Sequence, residues 1–124
     1  MGIWVKMESY RELKVWQLGM ELAKEVYRIT RIFPKEEMHG LTSQMRRASV
    51  SVPANIAEGW ARTRKEYMRF LLIARGSLME LETYLLLCND LDYLKEEASK
   101  DFLEKCSQIG KMLNSLYASL RKHS

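Results

Sequence analysis

Apolar residues along this chain recur at steps of three and four, the spacing that lines up one face of an α-helix, and they do so in four successive blocks. Residues 1–8 show no such period and are read as a flexible N-terminal segment. Ser9-Tyr10-Arg11-Glu12 has the form of a capping box, in which the serine hydroxyl and the glutamate carboxylate each take a backbone amide at a helix start. A first helix is therefore expected from Ser9 to about Phe33, where Pro34 discourages continuation. Lys35 to Gly40 makes a turn, and a second helix covers Leu41 to Gly59. Thr63-Arg64-Lys65-Glu66 is a second capping box opening a long third helix to about Leu91. Turn chemistry at Asn89 to Tyr93 precedes a fourth helix over Lys95 to Lys122, leaving 123–124 as a tail. Connections this short force sequential helices antiparallel, which predicts one all-α domain over 9–122, an up-down-up-down four-helix bundle.

The four blocks differ in how much of the helix surface is apolar. The fourth carries a single seam, Phe102, Cys106, Ile109, Leu113, Leu116 and Leu120, with charges opposite. The first carries two stripes, one of Leu13, Trp16, Met20, Ala23 and Tyr27, the other of Val15, Leu18, Leu22, Val26, Ile29 and Phe33. The third carries a main seam (Tyr67, Phe70, Leu71, Ala74, Leu78, Leu81, Leu85) and a second one of Met68, Leu72, Met79 and Leu86. Four antiparallel helices bury roughly one stripe each. A second stripe left in water forms the kind of patch that marks an interface, so a homo-oligomer is predicted.

The second helix is chemically unusual. Its run Ser43-Gln44-Met45-Arg46-Arg47-Ala48-Ser49-Val50-Ser51-Val52-Pro53-Ala54-Asn55-Ile56-Ala57-Glu58-Gly59 is rich in small residues, and Pro53 removes a helical hydrogen bond and predicts a kink. Asn55 projects onto the apolar face, where an amide needs partners, so it is expected to tie helices together. Arg46 projects beside Val50, Pro53 and Ala57. Arg75 and Glu82 fall between the two seams of the third helix. Charges in such settings call for opposite partners, and Arg46, Glu58, Arg75 and Glu82 are expected in ion-pair networks across helices or subunits.

Charge adds an asymmetry. The chain has a formal net charge of +4, but residues 1–75 hold 14 Lys and Arg against 8 Asp and Glu, while residues 76–124 hold 6 against 8. The basic half permits an anionic partner. Its densest stretch is Arg62-Thr63-Arg64-Lys65-Glu66-Tyr67-Met68-Arg69, at a helix start whose amides favour phosphate. Arg62, Arg64, Lys65 and Arg69, with Arg46 and Arg47 in the same half, are thus the candidate nucleic-acid contacts, and RNA is the candidate ligand. The bland alternative is a solvated charged face.

Other chemistry is sparse. Cys88 and Cys106 lie inside apolar helical patterns without metal spacing and read as buried free thiols. A di-iron bundle needs Glu-x-x-His motifs on two facing helices; Glu36 and His39 have that spacing but lie in a turn, and His123, at the extreme end, follows no glutamate at that distance. No Gly-rich nucleotide loop occurs. The expectation is no catalytic residue, no metal and no cofactor. No apolar run approaches the length of a membrane span and no leader pattern opens the chain, so a cytoplasmic protein without a membrane partner is expected.

The run Ser43 to Ala48, followed by Ser51-Val52-Pro53-Ala54-Asn55-Ile56-Ala57-Glu58-Gly59, resembles the hallmark of the four-helix-bundle proteins encoded in intervening sequences of bacterial 23S ribosomal RNA genes. Leu13-Lys14-Val15-Trp16 and Phe70 to Leu78 with Glu80 and Glu82 support the likeness, which covers residues 9–122. Trp60-Ala61-Arg62 departs mildly from the pair that often follows Glu-Gly in that family. The resemblance implies a homopentameric barrel. It also implies relatives that serve as accessory subunits of diversity-generating retroelements, where a basic surface meets nucleic acid and a reverse transcriptase. It implies no established activity. Two readings follow, a protein–protein scaffold or accessory subunit and an RNA-binding protein.

Overall fold

The structure, a computed structural model, describes residues 7–123. Most of the expected N-terminal segment (residues 1–6) and Ser124 of the tail lie outside the described residues. Four long helices account for the fold: α1 (Lys14–Thr30), α2 (Leu41–Trp60), α3 (Arg64–Asp90) and α4 (Glu96–Lys122). The described residues contain no strand, so the class is all-α.

The helix ends follow from local chemistry, with three departures from expectation. Ser9 and Glu12 do form a capping box, but it opens only a short 3-10 turn over Tyr10–Glu12. Leu13 then adopts an extended conformation (φ −72°, ψ 125°) and α1 starts one residue later. The same chain end packs through Tyr10 on Trp16, edge to face at 5.3 Å. At the far end α1 stops at Thr30 rather than Phe33, because Arg31, Ile32 and Phe33 donate to carbonyls only three residues back and the last turn tightens ahead of Pro34. The second box is half made. Thr63 Oγ1 accepts from the Glu66 amide, but the Glu66 carboxylate turns to Arg69 instead. α3 closes with the Tyr93 amide reaching back to the Cys88 carbonyl and Asp92 to Asn89, a Schellman arrangement that puts Asp92 at φ 62°. Aspartate tolerates that left-handed position better than most side chains.

Each helix touches its neighbour in sequence, and α4 returns to α1, while α1 and α3 do not meet and neither do α2 and α4. The core runs down the middle of this cycle. It takes Val15, Leu22, Val26 and Phe33 from the first helix and its end, and Met45, Ala48, Val52 and Ile56 from α2. α3 adds its main seam, and α4 adds Phe102, Cys106, Ile109, Leu113 and Leu120. Leu116, expected in the α4 seam, is only half-buried.

Small residues set the spacing. α2 runs unbroken through Pro53, whose ring lies against Gly19 of α1. At the far end of α2, Gly59 meets α3 so closely that a Cβ there would stand 2.8 Å from the Cβ of Phe70 and 2.9 Å from Tyr67 Cδ1. α2 and α3 are the most extensively packed pair and α1 and α4 the most sparsely packed.

Candidate functional site

The outer side of α3 is the largest departure from an ordinary bundle surface. Seven residues of its main seam, Tyr67 to Leu85, are buried, yet Leu72, Met79 and Leu86 on the other side are 40%, 47% and 51% exposed. Their spacing of seven residues puts them in one row along the helix. Gly76 falls in the same row, and a Cβ there would meet nothing within 4 Å. Met68, expected with them, is half-buried against the core. The two stripes of α1 divide less sharply. Val15, Leu22, Val26 and Phe33 of one are buried with Leu18 and Ile29 half-buried, while in the other Ala23 is buried, Leu13, Trp16 and Met20 are half-buried and Tyr27 alone is exposed.

The expected polar network takes a different form. Asn55 does not reach another helix. Its Nδ2 donates to the carbonyl and hydroxyl of Ser51 on its own helix (2.7 and 2.9 Å), and the Ser51 hydroxyl in turn meets Ser77 Oγ of α3 at 2.8 Å. The tie between α2 and α3 is thus a relay of small side chains. Arg46 forms no ion pair among the described residues. Its Nε donates to Thr30 Oγ1 (2.9 Å), and its guanidinium lies 4.8 Å from the centre of the Tyr27 ring. Arg75 donates to Asn114 Oδ1 of α4 (2.9 Å), again without a carboxylate. Glu58 pairs locally with Arg62 (3.1 Å). Glu82 faces the α3–α4 seam near Cys106, and burial pushes its carboxyl above the usual range. Within one chain, then, the four residues are not joined in a network. Neutral partners on the adjacent helix satisfy the two arginines, because helix spacing there leaves room for an amide or hydroxyl but brings no carboxylate.

One ion pair that does cross helices involves other residues. Lys105 of α4 donates to Glu25 of α1 and also pairs with Asp101 at 3.1 Å, and these contacts hold its ammonium above the ordinary lysine range. The i, i+4 spacing of Asp101 and Lys105 was visible in the sequence. The part played by Glu25 depends on the register of two helices far apart in the chain, and no local pattern carries that.

Two of the six basic candidates share one ring. Arg62, in the turn before α3, and Arg69, on its second turn, each lie 4.9 Å from the centre of the Phe70 ring. Both are already paired, Arg62 with Glu58 and Arg69 with Glu66 (3.0 Å). The hydrogen bond from Arg69 holds the Glu66 carboxyl below its usual range. Lys65 and Arg64 are exposed on the first turn. Arg47 is exposed elsewhere, on a polar notch between α2 and α3 beside Gln44, Ser51 and Glu80. Arg46 belongs to the α1–α2 seam. The six arginines and lysines therefore form one cluster of four and two separate sites.

Burial pushes the Cys88 thiol up to about 11 and Cys106 up to about 12, which keeps both protonated near neutrality and poor as nucleophiles. Cys88 spends its proton on the Met45 sulfur at 3.5 Å. Tyr67 has a buried hydroxyl that meets no partner among the described residues, and burial raises it to about 12. Among the described residues no three His, Cys, Asp or Glu come together as a metal site. No described helix is long and apolar enough to cross a membrane.

Residues 11–115 match the model of a family described as 23S rRNA-intervening sequence protein. The fold is similar to a crystal structure of a protein with unknown function from the S23 ribosomal protein family of Bacteroides thetaiotaomicron. The TM-score is 0.74 and the identity 24%, over 83% of this chain and 97% of the other. No curated protein matches the chain.

Proposed function

The chain belongs to the family of 23S rRNA-intervening sequence proteins, and from that premise we propose that it is a non-enzymatic, oligomeric bundle acting as a protein–protein scaffold or accessory subunit. The observation that carries this reading is the row Leu72, Met79 and Leu86, apolar and exposed on one chain. Burying such a row against another copy gains about 25 cal/mol for each Å² of apolar surface removed from water. Gly76 in its midst lets a second helix approach closely. The residue pairs Gly19–Pro53, Ser51–Ser77, Arg75–Asn114 and Glu25–Lys105 support an up-down-up-down order. The homopentamer that the family resemblance implies is the expected stoichiometry, and the cytoplasm the expected location.

Native mass spectrometry tests the reading. A mass of several chains, five on this proposal, is expected at micromolar concentration, and Leu72→Glu with Met79→Glu should return a folded monomer. A stable monomer for the unaltered protein would remove the proposal.

A second reading, RNA binding, draws on the cluster at the start of α3, where Arg62 and Arg69 converge on Phe70 beside exposed Lys65. Glu58 and Glu66 already neutralise two of these cations, which makes it the weaker of the two. Replacing Arg62, Arg64 and Lys65 with Ser should abolish retention of RNA on a native gel and leave the native mass unchanged. Retention that also disappears steeply with added salt would identify phosphate contacts.

A further inference from the structure

α1 and α2 enclose a surface groove of about 340 Å³ that neither the bundle core nor the α3 row uses. Its floor is apolar, made by Met20 and Ala23 of α1 and Val50 and Pro53 of α2. Small side chains and the proline keep the floor low. One wall is the Tyr27 ring, 42% exposed, and that wall is held from behind. The Arg46 guanidinium covers the ring, Arg46 Nε is fixed on Thr30 Oγ1, and Thr30 Oγ1 donates to the Val26 carbonyl at 2.7 Å. A wall set in advance loses little freedom when something docks against it.

The rim is cationic. Lys24 and Arg31 line it, and Arg28, one turn from Lys24, continues the same edge. All three are exposed, and among the described residues none forms an ion pair. The nearest acids of the two helices are Glu21, beyond Arg28 around α1, Glu25, engaged with Lys105 towards α4, and Glu58, paired with Arg62. From Met20 to Arg31 the groove follows three turns of α1, about 16 Å.

We propose that this groove docks a three-turn amphipathic helix of a partner protein, its apolar anchors on the Met20–Val50–Pro53 floor and its Asp or Glu flanks against Lys24, Arg28 and Arg31. The inference rests on the accessory-subunit reading and names the chemistry of the partner. Helix-in-groove recognition uses apolar anchors spaced three, four and seven apart, and the floor offers aliphatic surface for them. It suits bases poorly, because stacking needs aromatic faces and Arg46 already occupies one side of the only ring. The α3 row of a second copy is a poor match in charge, since Arg69 and Arg75 flank it along with Glu80 and Glu82.

The test uses the full chain and three labelled amphipathic peptides with identical Leu and Met anchors, flanked by Glu, Gln or Lys, together with an oligo-uridylate RNA. Fluorescence anisotropy at physiological salt should show the Glu peptide binding about tenfold or more tighter than the Lys peptide. Lys24→Ser with Arg31→Ser should abolish that preference, and Val50→Glu should abolish peptide binding, both without change in native mass. Failure of the Glu peptide to bind, or equal binding of the Glu and Lys peptides, overturns the proposal. So does RNA binding that Lys24→Ser with Arg31→Ser removes, and so does a fall in native mass with Val50→Glu, which would make the groove a contact between copies. The native mass of the unaltered protein decides the scaffold reading separately.

Discussion

The inner and outer faces of α3 have similar residues and opposite fates. Leu78 and Leu81 are fully buried, while Leu72 and Leu86, one helix diameter away, are 40% and 51% exposed. Glycine makes the same contrast across the α2–α3 seam and the outer row, since Gly59 is packed to contact and Gly76 faces open space. Hydrophobicity alone therefore does not tell which stripe of a helix builds the fold. What separates the two is whether neighbouring helices bring complementary surface, which within one chain they do for the inner seam and not for the outer row.

The largest expected effect lies on the inner face. Leu78→Ala should cost about 2–5 kcal/mol, the transfer term plus an unfilled cavity, read as a lower urea midpoint at unchanged slope. The matching change outside, Leu72→Ala, should leave the stability of the dissociated chain within about 0.5 kcal/mol and weaken self-association instead. Equal losses at both positions would erase the distinction. Next, Gly59→Ala should cost about 1–3 kcal/mol, because the new methyl meets Phe70 and Tyr67 across a seam that cannot widen without parting α2 from α3. Gly76→Ala should act in the opposite direction, stabilising the dissociated chain by about 0.5–1 kcal/mol through added helix propensity, read as a higher thermal midpoint.

The smallest effect belongs to Glu82, between the two faces. Its folded carboxyl titrates above the ordinary glutamate value of 4.5 because burial disfavours the charge. The folded state therefore holds its proton more tightly than the unfolded chain does. Stability is highest below 4.5 and declines as pH rises through the folded value. Glu82→Gln should flatten that stretch of the stability profile, checked by urea titrations from pH 4 to 7. An unchanged slope would show that the carboxyl is better hydrated than its place beside Cys106 implies.

Much of this architecture was legible from periodicity. The four helices, the main seams of α3 and α4 and the turn before α4 all follow from apolar spacing and caps. The outer row of α3 was visible too, as a second stripe in excess of what one bundle can hide. Less legible was anything set by register. Arg46 and Arg75 read as members of ion pairs because their positions sit between apolar stripes. Which atom stands opposite depends on the offset of two helices, and it proved to be Thr30 and Asn114. Leu13 shows the same limit on a smaller scale. A capping box at Ser9 marks a turn, but the box does not say whether the turn runs on into a helix, and extended Leu13 separates the two. The groove between α1 and α2 had no signature of its own, since it arises from Met20, Ala23, Val50 and Pro53 acting together across two helices.

The contact between Lys105 and Glu25 joins positions 80 residues apart, and it sits in the seam with no connecting loop. During synthesis the first three helices leave the ribosome before the fourth is complete. Until then Leu18 and Leu22, which line the α1–α4 seam, have only the nascent chain's other helices for shelter. The bundle thus closes last along its least covered edge, and that interval is when the emerging chain is most open to capture by a chaperone or by a neighbouring polysome's product.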